Sequence, residues 1–315
     1  MLDQKTRVTG VRYIALGVPE YEKQVDFYDG LWGLKRVDHD TGITFFAAEG
    51  SPEQYVLCIR KSPERRVDLL GLSVENASGV DALAADLAES GVTIVAEPGR
   101  LDTPGGGYGF RFFDPDGRGV EVSADVARRP FRVLEYREAI PQKLSHVVFY
   151  TPDPPATVRF YQEKLGFLVS GWLGDFFGFL RASRQPDFHV LAFARGGEGP
   201  SYFHASFELR GYDEYMRGCG HALQAGVPLL WGLGKHVPAD SAFAYFQDPN
   251  GLVCEYSTPQ EQILDNQCYV TKMWAAGENP NDIWGTARAQ NLPEGLPPGN
   301  RPGPPDPGLW IAPPV

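Results

Sequence analysis

The chain is short of histidine, with only six in 315 residues, and of cysteine and methionine, with four and three. Cys58, Cys219, Cys254 and Cys268 are scattered without CxxC spacing. That leaves neither a zinc ribbon nor a disulfide framework, and all four read as buried free thiols in a reducing compartment. Lys and Arg number 29 against 40 Asp and Glu, and a net charge of -11 without any basic stripe argues against a nucleic-acid surface. No apolar run is long enough to span a bilayer, and MLDQKTRVTG lacks a signal-peptide core. These absences predict a soluble cytoplasmic protein with neither nucleic acid nor membrane as partner.

What is present is a repeat far longer than a solenoid unit. VRYIALGVPEYEKQVDFYDGLWGLKRV, near the start, returns near the middle as LSHVVFYTPDPPATVRFYQEKLGFLVS. Phe27-Tyr28 and Gly33 match Phe160-Tyr161 and Gly166 at an offset of 133, and Asp114-Pro115 and Glu121 match Asp248-Pro249 and Glu255 at 134. So steady an offset predicts two copies of one domain, residues 1–133 and 134–265. The expected class is α+β, with tandem βαβββ modules in each copy.

Local signals fill in that outline. Tyr21 to Leu31 reads as a helix with Val25, Tyr28 and Leu31 on one stripe. A second helix is expected after Ser78 as N-cap, with Val80, Leu83, Ala84 and Leu87 inward and Gly91 as its stop. Asp-Pro-Asp-Gly at 114–117 and Asp-Pro-Asn-Gly at 248–251 predict hairpin turns. Residues 266–315 form a Pro- and Gly-rich extension. Its Tyr269 to Trp284 stretch is expected to pack on the second copy, and Trp310 and Ile311 either dock on a subunit or fray. A homo-oligomer is expected.

The scarce histidines cluster in the second copy. His146 falls on its first strand, in the alternation Leu144, His146, Val148; His189 and His204 lie 15 residues apart; and His236 precedes Tyr245 by nine. Glu255 sits in an apolar strand-like run, where an unpaired carboxylate is expensive to bury. Mapped back by the repeat, His146, His204 and Glu255 correspond to Tyr13, Gly71 and Glu121, so one metal site per chain is expected, in the second copy. A lone histidine on a strand is ordinarily a hydrogen-bonded core or rim residue, and His39 and His221 are left to that role. Two histidines and a carboxylate on one face of an ion are the ligand set of non-haem Fe(II) oxygenases. PGGGYG at 104–109 lacks the strand and helix a nucleotide loop needs.

The run GLGKHVPADSAFAYFQDPNGLVCEY, residues 232–256, with the His189 to His204 step, resembles the signature of type I extradiol catechol dioxygenases of the vicinal oxygen chelate superfamily. The likeness extends to about residue 265. It implies that His146, His204 and Glu255 bind Fe(II), with Mn(II) also accommodated, and that a catechol and O2 meet there. It further implies His236 and Tyr245 on the side of the diol and His189 on the side of O2 as acid-base groups. Val148, Leu191, Phe193 and Trp231 are candidates for the substrate wall, together with His236 and Tyr245. Two rival functions share the fold: a glyoxalase-like isomerase on Zn, Ni or Co, and a metal-free protein that sequesters an aromatic compound.

Overall fold

The computed structural model describes residues 8–196, 199–275 and 281–287. Its first sheet contains β1 (Gly10–Val18), β2 (Lys35–Asp40), β3 (Ile43–Ala47), β4 (Leu57–Lys61), β5 (Arg66–Ser73), β6 (Ile94–Arg100), β7 (Tyr108–Phe113) and β8 (Gly119–Ala124). The second contains β9 (Lys143–Thr151), β10 (Leu168–Leu173), β11 (Phe177–Arg181), β12 (Leu191–Arg195), β13 (Ser201–Glu208), β14 (Leu229–Lys235), β15 (Ala242–Gln247), β16 (Val253–Ser257) and β17 (Lys272–Trp274). Helices α1 (Tyr21–Asp26), α2 (Ala77–Glu89), α3 (Pro154–Leu165) and α4 (Tyr212–Gln224) follow the first and fifth strands of each sheet. The result is four βαβββ modules, two per sheet. Strand order β2-β3-β4-β1-β5-β8-β7-β6 in the first sheet has the same topology as β10-β11-β12-β9-β13-β16-β15-β14 in the second, to whose edge β17 adds in parallel.

One apolar core runs through both sheets, from Leu16 and Trp32 to Phe207 and Tyr256. The two Asp-Pro-x-Gly hairpin turns dock reciprocally across it. Asp114 accepts from Tyr161 of α3 at 2.9 Å and from the buried Arg118, while Asp248 accepts from Gln24 of α1. Gly117 and Gly251 close these turns at φ 80 and 78, a conformation that disfavours other residues.

Two helix expectations are corrected. α1 stops at Asp26, and Phe27–Leu31 continues as a π-helical turn closed by Trp32 N donating to Phe27 O at 2.8 Å. The extra residue in that turn swings Trp32 into the core, where it stacks 3.7 Å from Tyr256. The cap of α2 is Asn76, which accepts from Gly79 N at 3.0 Å; Ser78 lies in the first turn and donates its hydroxyl to Asn76 at 2.7 Å. The apolar face of α2, Val80, Leu83, Ala84 and Leu87, is buried as expected. Cys58, Cys219 and Cys254 are buried free thiols, but Cys268 is exposed because it sits in a turn after the last long strand. Trp310 and Ile311 lie outside the described residues.

Candidate metal centre

The middle strands of the second sheet bring the donors together. His146 on β9 pairs with Ser206 of β13, and Ser206 pairs in turn with Glu255 of β16. The Nε2 atoms of His146 and His204 are 3.2 Å apart, and Glu255 Oε2 lies 3.0 Å from the first and 3.3 Å from the second. Donors about 2.1 Å from one ion and at right angles to each other stand about 3 Å apart, so this triangle fits one face of an octahedral ion. The three are 4%, 1% and 1% exposed, and among the described residues Glu255 Oε2 and His204 Nδ1 have no hydrogen-bond partner. A cation among the donors relieves the burial cost of the carboxylate.

Neighbours set the donors for that role. Ser145 Oγ lies 3.1 Å from His146 Nδ1 and itself accepts from Gln260 Nε2 at 2.9 Å. With Nδ1–H donated to Ser145, His146 keeps its Nε2 lone pair for an ion. Gln260 also clamps the backbone of His189, accepting from its N at 3.0 Å and donating to its O at 2.9 Å. Burial pushes the His204 imidazole down against the pull of Glu255, and it pushes His189 well down. It also raises the Glu255 carboxyl, but the adjacent imidazoles of His146 and His204 outweigh it and hold that group far below the carboxylate range. At neutral pH a neutral His204 and a carboxylate face one another, a set suited to a divalent cation.

The first sheet shows what the same position looks like without donors. A constant offset equates His204 with Gly71, but the strand register corrects this. His204 stands opposite Val148 as Leu69 stands opposite Ala15, and Ser206 and Gly71 both stand beside the carboxylate. Two additional residues before β13 raise the local offset to 135. By the same registers Tyr13 replaces His146, Tyr55 replaces His189 and Arg111 replaces Tyr245. Tyr13, Tyr55 and Leu69 fill the space with a small apolar core, their rings 4.6 Å apart for the two tyrosines. Arg111 donates twice to Glu121 Oε2, at 3.0 and 2.9 Å. Each copy buries one carboxylate at this position. The first supplies its cation from a side chain, whereas in the second the arginine is absent.

His189, His236 and Tyr245 line one cavity with His146 and His204. The His189 ring is 4.1 Å from that of His146, and His236 Nε2 is 3.3 Å from Tyr245 Oη. Burial lowers His236 to about 4 and raises the Tyr245 phenol well above its usual value. Val148 and Trp231 line the cavity, and Trp231 stacks on Tyr245 at 5.3 Å. Leu191 and Phe193 do not; both belong to the core on the opposite face. His189 precedes a bend at Val190, so the alternation restarts and Ala192 and Ala194 face the site side. A register shift likewise turns Leu144 into the opposite core, out of phase with His146. Phe176, Phe177, Phe179, Arg195 and Asn281 also line the cavity and were not read from the sequence. His221 lies in the last turn of α4 and His39 on the exposed strand β2, both away from the site.

The family model for the Glyoxalase/Bleomycin resistance protein/Dioxygenase superfamily matches twice, over residues 10–122 and 143–256. Metapyrocatechase 2 of Cupriavidus necator is 30% identical over 210 residues, 61% of this chain and 62% of its own length. A manganese-dependent 2,3-dihydroxybiphenyl 1,2-dioxygenase of Geobacillus genomosp. 3 is 24% identical over 255 residues, 75% of this chain and 80% of its own. Among solved structures, the Mn(II)-bound glyoxalase from Novosphingobium aromaticivorans superposes with a TM-score of 0.88 at 38% identity, covering 94% of this chain and 97% of that one. The repeated fold and both family matches agree: the chain belongs to the Glyoxalase/Bleomycin resistance protein/Dioxygenase superfamily.

Proposed function

We propose that this chain is an extradiol ring-cleavage dioxygenase that opens a substituted catechol beside its diol, using O2. The observation that carries the reading is the buried His146, His204, Glu255 triangle with three acid-base side chains, His189, His236 and Tyr245, on one cavity. Held by the three donors, Fe(II) or Mn(II) would supply joint binding of diol and O2 and a route for electrons between them. A catechol must shed or share its hydroxyl protons to bind as an anion. Tyr245 Oη and His236 Nε2, 3.3 Å apart, form a pair that receives a proton on that side. His189, held by Gln260, supplies a hydrogen-bond donor where charge develops on oxygen, a role worth about 10²–10⁴-fold as general acid-base help. Val148 and Trp231 form the apolar wall for the ring. No lysine lines the cavity among the described residues, and its one arginine, Arg195, is engaged by Asp175 at 3.1 Å, which favours an uncharged substituent.

In this reading residues 1–133 are a metal-free cover, 134–265 carry the chemistry and 266–315 are an extension. One similar structure bears the name glyoxalase, but a glyoxalase-like isomerase with ligands from both copies would need donors in the first one. Tyr13 and Leu69 offer no such ligands. The test is a panel of catechols given to iron-loaded and to manganese-loaded protein. Oxygen uptake with a yellow ring-opened product supports the reading, and a fully metal-loaded protein that consumes no O2 with any of them overturns it.

A further inference from the structure

Beyond β17 the chain returns to the cavity. Residues 281–287 run along β14: Ile283 N donates to Lys235 O at 2.8 Å and Thr286 Oγ1 to Leu233 O at 2.5 Å. Asp282 anchors the segment. Its Oδ1 accepts from Lys235 N and Trp284 N, each at 3.1 Å, and its Oδ2 from Ala287 N at 2.7 Å. This places the Asn281 carbonyl 2.6 Å from His236 Nδ1. The His236 ring lies flat on Phe243, 3.8 Å away at 7°, so its orientation is fixed and its two nitrogens face different partners.

A carbonyl only accepts, so Nδ1 must carry the imidazole proton. Nε2 is then bare and turned toward Tyr245 Oη. A free histidine in water favours the opposite tautomer, with its proton on Nε2, which would leave His236 no acceptor nitrogen toward Tyr245. We propose that Asp282 is a positioning residue: by clamping the 281–287 segment to β14 it holds the Asn281 carbonyl on His236 and fixes the tautomer that can accept a proton. Its consequence for turnover rests on the reading that His236 takes up a proton of the diol.

Two measurements test the clamp. The first uses full-length chain labelled with 15N-histidine and freed of metal by chelation, with His236→Gln identifying the signal. The expected spectrum shows a protonated Nδ1 and a bare Nε2 in the wild type, and a mixture of tautomers in Asp282→Ala. The second is steady-state kinetics: kcat should fall on the order of 10-fold in Asp282→Ala, with KM for catechol within about 3-fold and metal content unchanged. Asp282→Asn keeps one acceptor oxygen and should lie between the two, and it decides the matter if the alanine variant does not fold. A wild-type proton on Nε2, an unaltered tautomer in both variants, or a kcat loss that tracks loss of metal would overturn the proposal. A wild type that turns over no catechol would defeat the functional reading, while the spectra still decide the clamp.

Discussion

Removing Glu121 separates the two copies most cleanly, because the same carboxylate position is held by an arginine in one copy and stands among the proposed metal donors in the other. Arg111 is 8% exposed and Glu121 1%, and the Nε and Nη2 groups of Arg111 donate to the same Glu121 oxygen. Glu121→Ala breaks the buried pair that Arg111 makes with this carboxylate, a change that costs about 3–5 kcal/mol. Glu121→Gln keeps an acceptor oxygen and loses only the charge assistance, roughly 1–3 kcal/mol. At about 2–4 °C per kcal/mol for a chain of comparable size, the alanine variant should melt roughly 6 °C or more below the wild type. Glu121 does not line the cavity, so kcat and metal content of the folded protein should match the wild type in both variants. The assay is thermal unfolding by circular dichroism, with metal analysis and oxygen uptake on the same samples. A folded, metal-loaded but inactive Glu121→Gln enzyme would refute the division of labour, and an unaltered midpoint in Glu121→Ala would refute the electrostatic argument.

Two further outcomes are expected. His189→Asn should bind metal and catechol nearly as the wild type does, yet turn over slowly and release hydrogen peroxide; weakened catechol binding with a normal oxygen step would put His189 on the diol side. Burial raises Asp248 from its ordinary 3.8 to about 6, so between those values the folded chain holds a proton the unfolded chain has released. Stability from this group therefore falls as pH rises through that window, by up to about 3 kcal/mol. The urea-unfolding free energy of Asp248→Asn relative to wild type should improve by about that amount from pH 4 to 7, and a flat difference would contradict the assignment.

The sequence made the duplication legible because both copies keep Gly at the helix ends and Asp-Pro-x-Gly at the turns, where backbone geometry allows few substitutes. The donors stood out because histidine is rare and Glu255 lies in an apolar run. Small register changes were hidden. The two residues gained before β13 move the partner of His204 from Gly71 to Leu69, and the bend at Val190 turns Leu191 and Phe193 away from the site. Both are events of strand pairing, which local pattern does not encode. The roles of Gln260 and Asn281 depend on contacts between distant segments, and that of Arg111 on the pairing of β7 with β8. Arg111 was recoverable in principle, since it stands where the second copy has Tyr245 and beside a carboxylate that both copies retain.

We propose that the second copy alone holds one metal ion, on His146, His204 and Glu255. Metal content per chain, measured by mass spectrometry after loading and desalting, tests it most directly. One ion is expected in the wild type and in His221→Ala, and little in His146→Ala, His204→Ala or Glu255→Ala, with all variants folded. Two ions per chain, or a full complement retained in two of those three variants, would contradict it.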